Sequence, residues 1–377
     1  MTTLSATIEQ KADRVRNPPF TVVSPVPRDV WGDLIQSDPE ALPYQSPAWS
    51  DAICATGEYD DVSRLYEFAG GQQLLLPLVR RRGLPAAFAW ESSLPPGWGM
   101  GGLIARQPLI PQDVGRVFAD LVNRSPLHTG VRPNPRTGAV WAAAQPAGIV
   151  AIPRVAHVLD LDGGFDVVWS RRFTKSTRTR IRRAERSGLV VECDSSGKLM
   201  PVFYDLFRRS IDRWAEQQHE PRLLAHWRNE QRDSQRKIET IARVLGEACR
   251  IWAAWWRGQP VAALLLLQGT NVNDARSVMD KELAAPVCAN DLLLSLAIEE
   301  ACRAGCRYYH LGESGDSAGL HHFKSRFGAV PYAYAEYHIE RWPITRFERR
   351  LRGLVKRLIG FRDVQQSTGD IRHEHQR

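Results

Sequence analysis

One lysine within an apolar helical stripe is the feature of this chain that first suggests chemistry. Residues 319–328 read GLHHFKSRFG, and helical spacing places Lys324 on one face with Leu320, Phe323 and Phe327. An ammonium that points inward loses hydration, so it requires an anion, a carbonyl oxygen or a route to water. Spacing alone favours a lysine whose stem packs while its head reaches solvent. The alternative is a donor directed at the negative charge that develops on a substrate carbonyl during acyl transfer.

Two acidic residues before this helix are candidates for proton transfer. Glu313 and Asp316 lie at the end of a predicted strand and in the loop after it, where a general base could sit. Cys302, Cys306 and His310 are evenly spaced nearby, but they fall on a helix end and a strand, with no fourth ligand close in sequence and no CxxC pair. We therefore predict no metal site.

The first basic cluster of the chain lies in residues 165–187. Lys175 is near the start of a predicted helix, and Arg178, Arg182 and Arg186 repeat every four residues along one of its faces. A solvated helix face is the usual explanation for such a stripe. The other explanation is a site for phosphate, because cations so close together repel one another unless an anion lies near.

The overall charge favours an anionic partner. The 377-residue chain has a net charge of +8 and a pI near 9.3, which suits nucleic acid, a phosphorylated substrate or an anionic membrane surface, although solubility alone could account for it. Six scattered cysteines and an N-terminus without an apolar signal region favour a cytoplasmic setting. The longest apolar run, residues 261–267, is too short to span a bilayer, so membrane contact is expected to be peripheral.

The elements that position these residues fit two domains of similar size. With 43% hydrophobic and 24% charged residues the chain can bury real cores, and we predict domains over residues 20–161 and 162–341. In the second, leading helices precede the order β-β-β-α-β-α-β, with Lys324 on the last helix. We expect an α/β (α+β) fold with a mixed, mostly antiparallel sheet flanked by helices in each domain, and a disordered tail over residues 363–377.

A basic amphipathic helix is predicted after the second domain, in residues 342–362. Its apolar side contains Phe347, Leu351, Leu354 and Leu358, and arginines and lysines surround the rest. Docking of the apolar side on the protein is the first interpretation, binding to an anionic membrane is the second, and contact with nucleic acid is the third.

The second domain resembles the Fem branch of the GNAT-type acyltransferases. The likeness covers residues 160–337, and residues 44–49 and 95–104 resemble the first lobe of that family less closely. It is carried by FTKSTR at 173–178, RRAERSGL at 182–189, GQPVAA at 258–263, NDLL at 290–293, LG at 311–312, GL at 319–320 and FKSRFG at 323–328.

This resemblance implies two tandem GNAT-like lobes with a cleft between them, and transfer of an acyl group to an amine. It implies that Lys324, beside Phe323, stabilises the developing oxyanion. Substrate contacts are expected from the basic helix, from Asn290, and from Tyr44 and Trp98 in the first lobe.

Aminoacyl-tRNA is the predicted donor, and no tightly bound cofactor is expected. The chain lacks a clear Arg/Gln-x-x-Gly-x-Gly/Ala pyrophosphate loop, which argues against acetyl-CoA, and it lacks the coiled-coil arm that some Fem proteins insert. The predicted acceptor is an amine of a small molecule or of a bacterial, peptidoglycan-type precursor. Two alternatives remain: an acyl-CoA-dependent GNAT N-acetyltransferase, and a non-catalytic RNA-binding or scaffold protein with this fold.

Overall fold

The first part of the chain contains a small antiparallel sheet and the helices beside it. The computed structural model describes residues 20–124, 126–315 and 317–361. Up to residue 144 the elements are β1 (Phe20–Val23), α1 (Arg28–Ser37), α2 (Pro47–Ala55), β2 (Tyr59–Asp61), β3 (Arg64–Phe68), β4 (Gln73–Leu76), β5 (Val79–Arg81), β6 (Trp90–Ser92), β7 (Ile104–Ala105), α3 (Pro111–Arg124), β8 (His128–Val131) and α4 (Gly138–Ala144). The small sheet has the order β1-β3-β4-β7, and its β3–β4 hairpin turns at Gly70 and Gly71, both with positive φ.

The remaining elements alternate strands and helices around a longer sheet. They are β9 (Val150–Asp160), α5 (Gly164–Val167), α6 (Lys175–Glu185), β10 (Val190–Asp194), α7 (Met200–Gln218), α8 (Arg222–Asp233), α9 (Gln235–Leu245), β11 (Cys249–Trp256), β12 (Gln259–Gln268), β13 (Val272–Met279), α10 (Lys281–Val287), α11 (Ala289–Arg303), β14 (Tyr308–Glu313), α12 (Ala318–Ser325), β15 (Val330–Glu340) and α13 (Ile344–Leu358). Side-chain caps fix where two of the helices begin. Thr174 accepts the Thr177 N–H before α6, and Ser317 accepts the Leu320 N–H before α12.

Both halves of the chain share one eleven-stranded sheet. Its order is β10-β11-β12-β13-β14-β9-β15-β8-β6-β5-β2. The long strand β9, from the end of the predicted first domain, lies between β14 and β15 and pairs antiparallel with both. The mixed α/β fold with a mostly antiparallel sheet flanked by helices is confirmed. The sheet is continuous across the two halves rather than separate in each, because β9 finds hydrogen-bond partners from the second half on both of its edges.

Packing on both faces of this sheet explains the apolar run in residues 261–267. Along β12, Leu264 and Leu266 pack in the cluster that contains α11, whereas Leu265 and Leu267 pack in the cluster that contains α7. Side chains alternate between the two faces of a strand, so a strand covered on both faces is apolar throughout. The run is therefore a central strand between two helical layers.

Two neighbouring strands, β13 and β14, separate after a short parallel contact. They pair through Val272 with Tyr309 and through Asn273 with His310. Beyond those pairs β14 bulges before Gly312, which has a φ of +71°, and the strand continues along β9. We call the opening between β13 and β14 beyond these pairs the wedge.

The C-terminal helix α13 does not dock its apolar side on the protein. Phe347, Leu351, Leu354 and Leu358 are 68%, 51%, 55% and 85% exposed. The first turn is held because Thr345 donates through its N–H and its hydroxyl to the Glu340 carboxylate, each at 2.9 Å. The predicted docking is wrong, because no element in residues 20–124, 126–315 or 317–361 covers this side of the helix.

Candidate active site

The side chain of Lys324 is buried at the wedge. Helix α12 directs it inward, and 7% of the residue is exposed. Its Nζ donates to the backbone carbonyl oxygens of Gly312, at 2.9 Å, and of Glu313, at 2.7 Å. The interpretation of Lys324 as a lysine whose head reaches solvent is therefore wrong. The two carbonyl oxygens replace the water that would hydrate an exposed ammonium.

Burial makes this ammonium easier to deprotonate than an ordinary lysine. Desolvation lowers the pKa of Lys324 to about 8, although the carboxylates of Asp274 and Glu313 act in the opposite direction. An ammonium has three N–H donors. Two of them meet the carbonyl oxygens, and the third has no hydrogen-bond acceptor within the described ranges.

Asp274 belongs to β13, directly beyond its last pair with β14. Ser277 Oγ donates to Asp274 Oδ2 at 2.7 Å. Burial raises the pKa of Asp274, and Ser277 and Lys324 offset part of that rise. At the wedge, the Lys324 ammonium from α12 is therefore close to the Asp274 carboxyl group from β13.

The predicted proton-transfer residue Glu313 is held in an ion pair. Its carboxylate accepts hydrogen bonds from the Arg132 guanidinium and the Tyr334 hydroxyl. Burial acts to raise the pKa of Glu313, but the charge and hydrogen bonds of Arg132 outweigh it and hold the pKa below its ordinary value. A carboxylate stabilised in this way is a weak base. The other acidic candidate, Asp316, lies outside the described residues.

An ion-pair cluster fixes the position of α12. Arg326, which follows α12, pairs with the buried carboxylate of Asp291 at the start of α11, and Arg180 of α6 pairs with the same carboxylate at 3.2 Å. Phe323 is half-buried, with the Arg326 guanidinium 4.8 Å above its ring. Phe323 thus packs against Arg326 and against the Phe327 ring, whose centroid is 5.3 Å from its own.

Asn290 lies in the first turn of α11 and turns its side chain toward β13. Its Nδ2 donates to Met279 Sδ at 3.2 Å. Its amide oxygen is buried and has no hydrogen-bond partner in the part of the chain that the structure describes. An unpaired buried acceptor keeps Asn290 a candidate contact for a polar ligand.

A chain of polar groups beside Lys324 was missed by sequence reasoning. His157 of β9 contacts Ser314 Oγ through Nδ1 and His321 Nδ1 through Nε2, both at 3.3 Å, and His321 Nε2 lies 3.1 Å from the Gly315 carbonyl oxygen. Because a carbonyl only accepts, His321 Nε2 carries hydrogen, so His157 donates to His321 and accepts from Ser314. Burial, followed by the charge of Lys324, lowers the pKa of His157 to about 4. These hydrogen bonds run in one direction, from the Ser314 hydroxyl to the Gly315 carbonyl oxygen.

Tyr44 and Trp98 are packed residues of the first half. Both rings pack edge-on against Trp49, with centroid distances to the Trp49 ring of 5.0 Å for Tyr44 and 5.6 Å for Trp98. The Tyr44 ring leaves no space for a side chain at Gly99, where a Cβ would lie 2.6 Å away. Burial, followed by the charge of Asp274, raises the pKa of Tyr44. Tyr44 therefore lies near the β13 side of the wedge.

The basic stripe on α6 divides into structural and accessible arginines. Arg178 Nη1 donates to the backbone oxygens of Trp169, at 3.0 Å, and Phe173, at 2.6 Å. Arg182 lies 5.8 Å from the Trp169 ring. Lys175 is exposed in the first turn. Arg178 is thus used within the protein, because its guanidinium bends back onto the preceding turn.

Two hollows flank α6. The larger, with a volume of about 730 Å³, is lined by Arg183, Arg186, Arg257 and the Trp256 ring. The smaller, of about 370 Å³, lies between α6 and α12 and is lined by Ser176, Arg180, Gly319, His322, Phe323 and Arg326. The smaller hollow connects the basic helix with the helix that carries Lys324. Sequence reasoning missed Trp256 and Arg257, which lie at the end of β11 and in the β11–β12 turn.

Comparison with known proteins identifies the domain that holds this site. Residues 171–325 match the family model of an acetyltransferase (GNAT) domain. This segment contains α6, β13, β14 and all of α12. The candidate site therefore lies largely within a GNAT-type domain. No curated protein matches the chain in sequence.

Solved structures show the same fold at low sequence identity. The crystal structure of FemX has a TM-score of 0.62 and 11% identity, and the match covers 89% of this chain and 100% of that one. A conserved protein of unknown function from Bacteroides thetaiotaomicron has a TM-score of 0.50 and 9% identity, with 85% and 99% covered. Residues 171–325 thus match a GNAT domain, and the chain has the fold of the FemX structure.

Two further properties concern the described residues. Across residues 20–124, 126–315 and 317–361, no helix has the length and apolar character needed to cross a bilayer. In the same ranges, no three His, Cys, Asp or Glu side chains are grouped so that they could hold a metal ion.

Proposed function

We propose that this GNAT-type protein is an N-acyltransferase that moves an aminoacyl group from aminoacyl-tRNA to an amine of a small molecule or cell-envelope precursor. The observation that carries this proposal is the buried ammonium of Lys324 at the wedge, held by two backbone carbonyls. A donor fixed in this way needs little reorganisation when charge develops on a substrate oxygen. The reaction would take place in the cytoplasm, where aminoacyl-tRNA is found.

The reaction forms one N–C bond and breaks one C–O bond. The neutral amine of the acceptor attacks the ester carbonyl carbon, and Lys324 donates a hydrogen bond to the oxyanion. The intermediate collapses, the C–O bond to the tRNA ribose breaks, and the released oxygen takes the proton that the amine loses. An aminoacyl ester is already activated, so no strong base is required.

Proton transfer fits the histidine chain better than it fits Glu313. Both groups are weak bases, because Arg132 holds the pKa of Glu313 below its ordinary value and burial lowers the pKa of His157 to about 4. His157 differs in having a hydrogen bond at each ring nitrogen, which is what a proton relay requires. Asp316, between Gly315 and the Ser317 cap, remains a candidate for the same role. We assign a positioning role to Glu313, because its backbone carbonyl is one of the two groups that hold Lys324.

The basic hollow beside α6 supports a polyanionic donor. Arg183, Arg186 and Arg257 provide charge for phosphates, and the Trp256 ring provides a surface on which a base can stack. The first turn of α11, where a pyrophosphate group could otherwise bind, is occupied by Asp291 and its two arginines. This occupancy favours tRNA over CoA as the donor.

An acyl-CoA-dependent N-acetyltransferase is the second candidate function. The match of residues 171–325 to an acetyltransferase (GNAT) domain favours it. The chemistry at the wedge would be similar, with a C–S bond of a thioester broken in place of the C–O bond. Lys324 would have the same role in both reactions.

The test is to offer both donors to the purified protein. Labelled aminoacyl-tRNA and labelled acetyl-CoA are incubated with a panel of amines, and free tRNA, free CoA and labelled amide are measured. Amide formation from aminoacyl-tRNA supports the proposal, and release of CoA with an acetylated amine supports the second candidate. Binding of tRNA without turnover for any amine would instead favour an RNA-binding or scaffold protein.

A further inference from the structure

Helix α13 presents an apolar stripe that has no cover in the described chain, and we propose that it binds an anionic phospholipid surface. A spacing of about 100° per residue places Phe347, Leu351, Leu354, Val355 and Leu358 within an arc of about 100°. All five are among the exposed large hydrophobic residues. An isolated helix of fifteen residues is marginal in water, so this helix requires a partner.

The charges on the rest of the helix identify that partner as anionic. Five arginines and Lys356 occupy the arc opposite and beside the apolar stripe, and Glu348 is the single acid between residues 344 and 358. Arg350 borders the stripe on one side, and Glu348, paired with Arg352 at 3.6 Å, borders it on the other. A helix that lies in the membrane interface places its apolar side among the acyl chains and its cations at the level of the phosphates.

Trp342 adds a second feature of the same kind. It precedes α13 and is 64% exposed. Tryptophan is enriched at the membrane–water interface, where its ring contacts acyl chains and its N–H remains hydrated. Trp342 and the apolar stripe of α13 are therefore neighbours in sequence, and both are suited to the membrane–water interface.

Other occupants match this surface less well. A second copy of the helix would bring two strongly cationic surfaces together. Residues 362–377 contain two apolar side chains, Val364 and Ile371, which are too few to cover the stripe. A nucleic acid would pair with the arginines, but it would leave the five apolar side chains in water. A bilayer with anionic headgroups offers acyl chains to the apolar side chains and phosphates to the arginines.

The experiment measures binding of the full chain to vesicles by flotation. One set of vesicles contains phosphatidylcholine alone, and the other contains phosphatidylcholine mixed with phosphatidylglycerol. We expect at least about tenfold tighter binding to the anionic set, with the preference reduced by high salt. The paired change Arg349→Gln and Arg357→Gln should reduce the preference for anionic vesicles about tenfold.

Apolar contact is tested by the paired change Leu354→Glu and Leu358→Glu, which should abolish flotation. The control is Leu223→Glu, because Leu223 is an equally exposed leucine, 87%, on α8. Circular dichroism and thermal unfolding establish that each variant keeps the fold.

The proposal fails if the wild-type protein does not float with anionic vesicles, or if the Leu354/Leu358 variant floats as well as the wild type. It also fails if light scattering shows a dimer that this variant converts to monomer. These results are independent of which acyl donor is used.

Discussion

Lys324 binds the backbone of Glu313 and not its carboxylate. The Lys324 Nζ lies 2.7 Å from the Glu313 carbonyl oxygen, whereas the Glu313 carboxylate pairs with Arg132. Carbonyl oxygens hold an ammonium in place without cancelling its charge. Within the described ranges, Lys324 also has no carboxylate close enough for a direct ion pair, so its positive charge is not neutralised by direct contact with an acid, as the proposed oxyanion role requires.

Replacement of this ammonium should slow the chemical step. We expect Lys324→Met to lower kcat by about a hundredfold or more, with the KM for the donor nearly unchanged, because the lost interaction forms in the transition state. Steady-state kinetics with aminoacyl-tRNA and a responsive amine measure both values. A fall in donor affinity alone would make Lys324 a phosphate ligand instead.

Lys237→Met is the matched control for stability. Lys237 is a second buried lysine whose Nζ donates to two backbone carbonyls, those of Gly97 at 2.8 Å and Arg232 at 2.7 Å. Each variant leaves two carbonyl oxygens unpaired, so we expect both to lose about 1–3 kcal/mol or more of folding stability. Lys237→Met also removes an ion pair with Asp233 at 3.2 Å, so its loss should be at least as large as that of Lys324→Met. If the two variants lost turnover in proportion to their loss of stability, the fall in kcat would reflect folding rather than charge.

The pH dependence of kcat should report the same group. Because burial lowers the pKa of Lys324 to about 8, the folded protein loses this cation as pH rises through that value. We expect kcat to fall about tenfold per pH unit above pH 8, on a limb that Lys324→Arg should lack, since a guanidinium stays protonated. The residual rate of Lys324→Arg is measured between pH 7 and 10. Persistence of the limb there would assign it to another residue.

Glu313→Gln should affect stability more than catalysis. The lowered pKa of Glu313 means that its ion pair with Arg132 stabilises the fold above the pKa of the unfolded state, near 4.3, and that this contribution is lost as pH falls through the folded pKa. We expect the variant to lose about 1–2 kcal/mol at pH 7, with a smaller difference from wild type below pH 4. Chemical denaturation at several pH values measures it.

The kinetic outcome for the same variant separates positioning from proton transfer. If Glu313 only positions its own carbonyl, kcat should fall less than about tenfold and the pH profile should keep its shape. A fall of a hundredfold in a variant that remains folded would make Glu313 the proton-transfer group and would contradict the assignment to His157.

The helical period of the sequence was enough to predict that Lys324 points inward. It could not predict which groups Lys324 would bind. The spacing to Phe327 is local and was enough to predict that the lysine points inward, which its burial confirms. The carbonyl oxygens of Gly312 and Glu313 became acceptors because β14 bulges against β9, a contact between residues far apart in the chain. His157 was missed for the same reason, since it reaches Ser314 and His321 only through that pairing.

Helical period also placed Arg178, Arg182 and Arg186 on one stripe, but it could not assign their contacts. Arg178 bends toward the carbonyls of the preceding turn, whereas Arg186 reaches the hollow beside α6. For α13 the sequence predicted an amphipathic helix correctly. Its apolar stripe alone could not distinguish a protein core from a membrane, because both are apolar surroundings.

The hollow lined by Arg183, Arg186 and Arg257 should bind phosphates of the donor. Each cation that contacts a phosphate of single-stranded RNA contributes about 0.7 to the slope of log affinity against log salt concentration. We therefore expect the triple change of these arginines to glutamine to weaken tRNA binding and reduce that slope by about 2. Filter binding of aminoacyl-tRNA from low to moderate salt measures it.

Arg243→Gln is the control for this last experiment, because Arg243 is an exposed arginine on α9, away from α6 in sequence. It should leave the salt slope unchanged. The triple variant should also keep its kcat at saturating donor, since the hollow binds phosphate and the wedge carries the chemistry. A wild-type slope near zero would remove the hollow from the donor site. A triple variant with a normal slope but a lower kcat would place these arginines at the reaction centre, and the division between phosphate binding at α6 and catalysis at Lys324 would then be wrong.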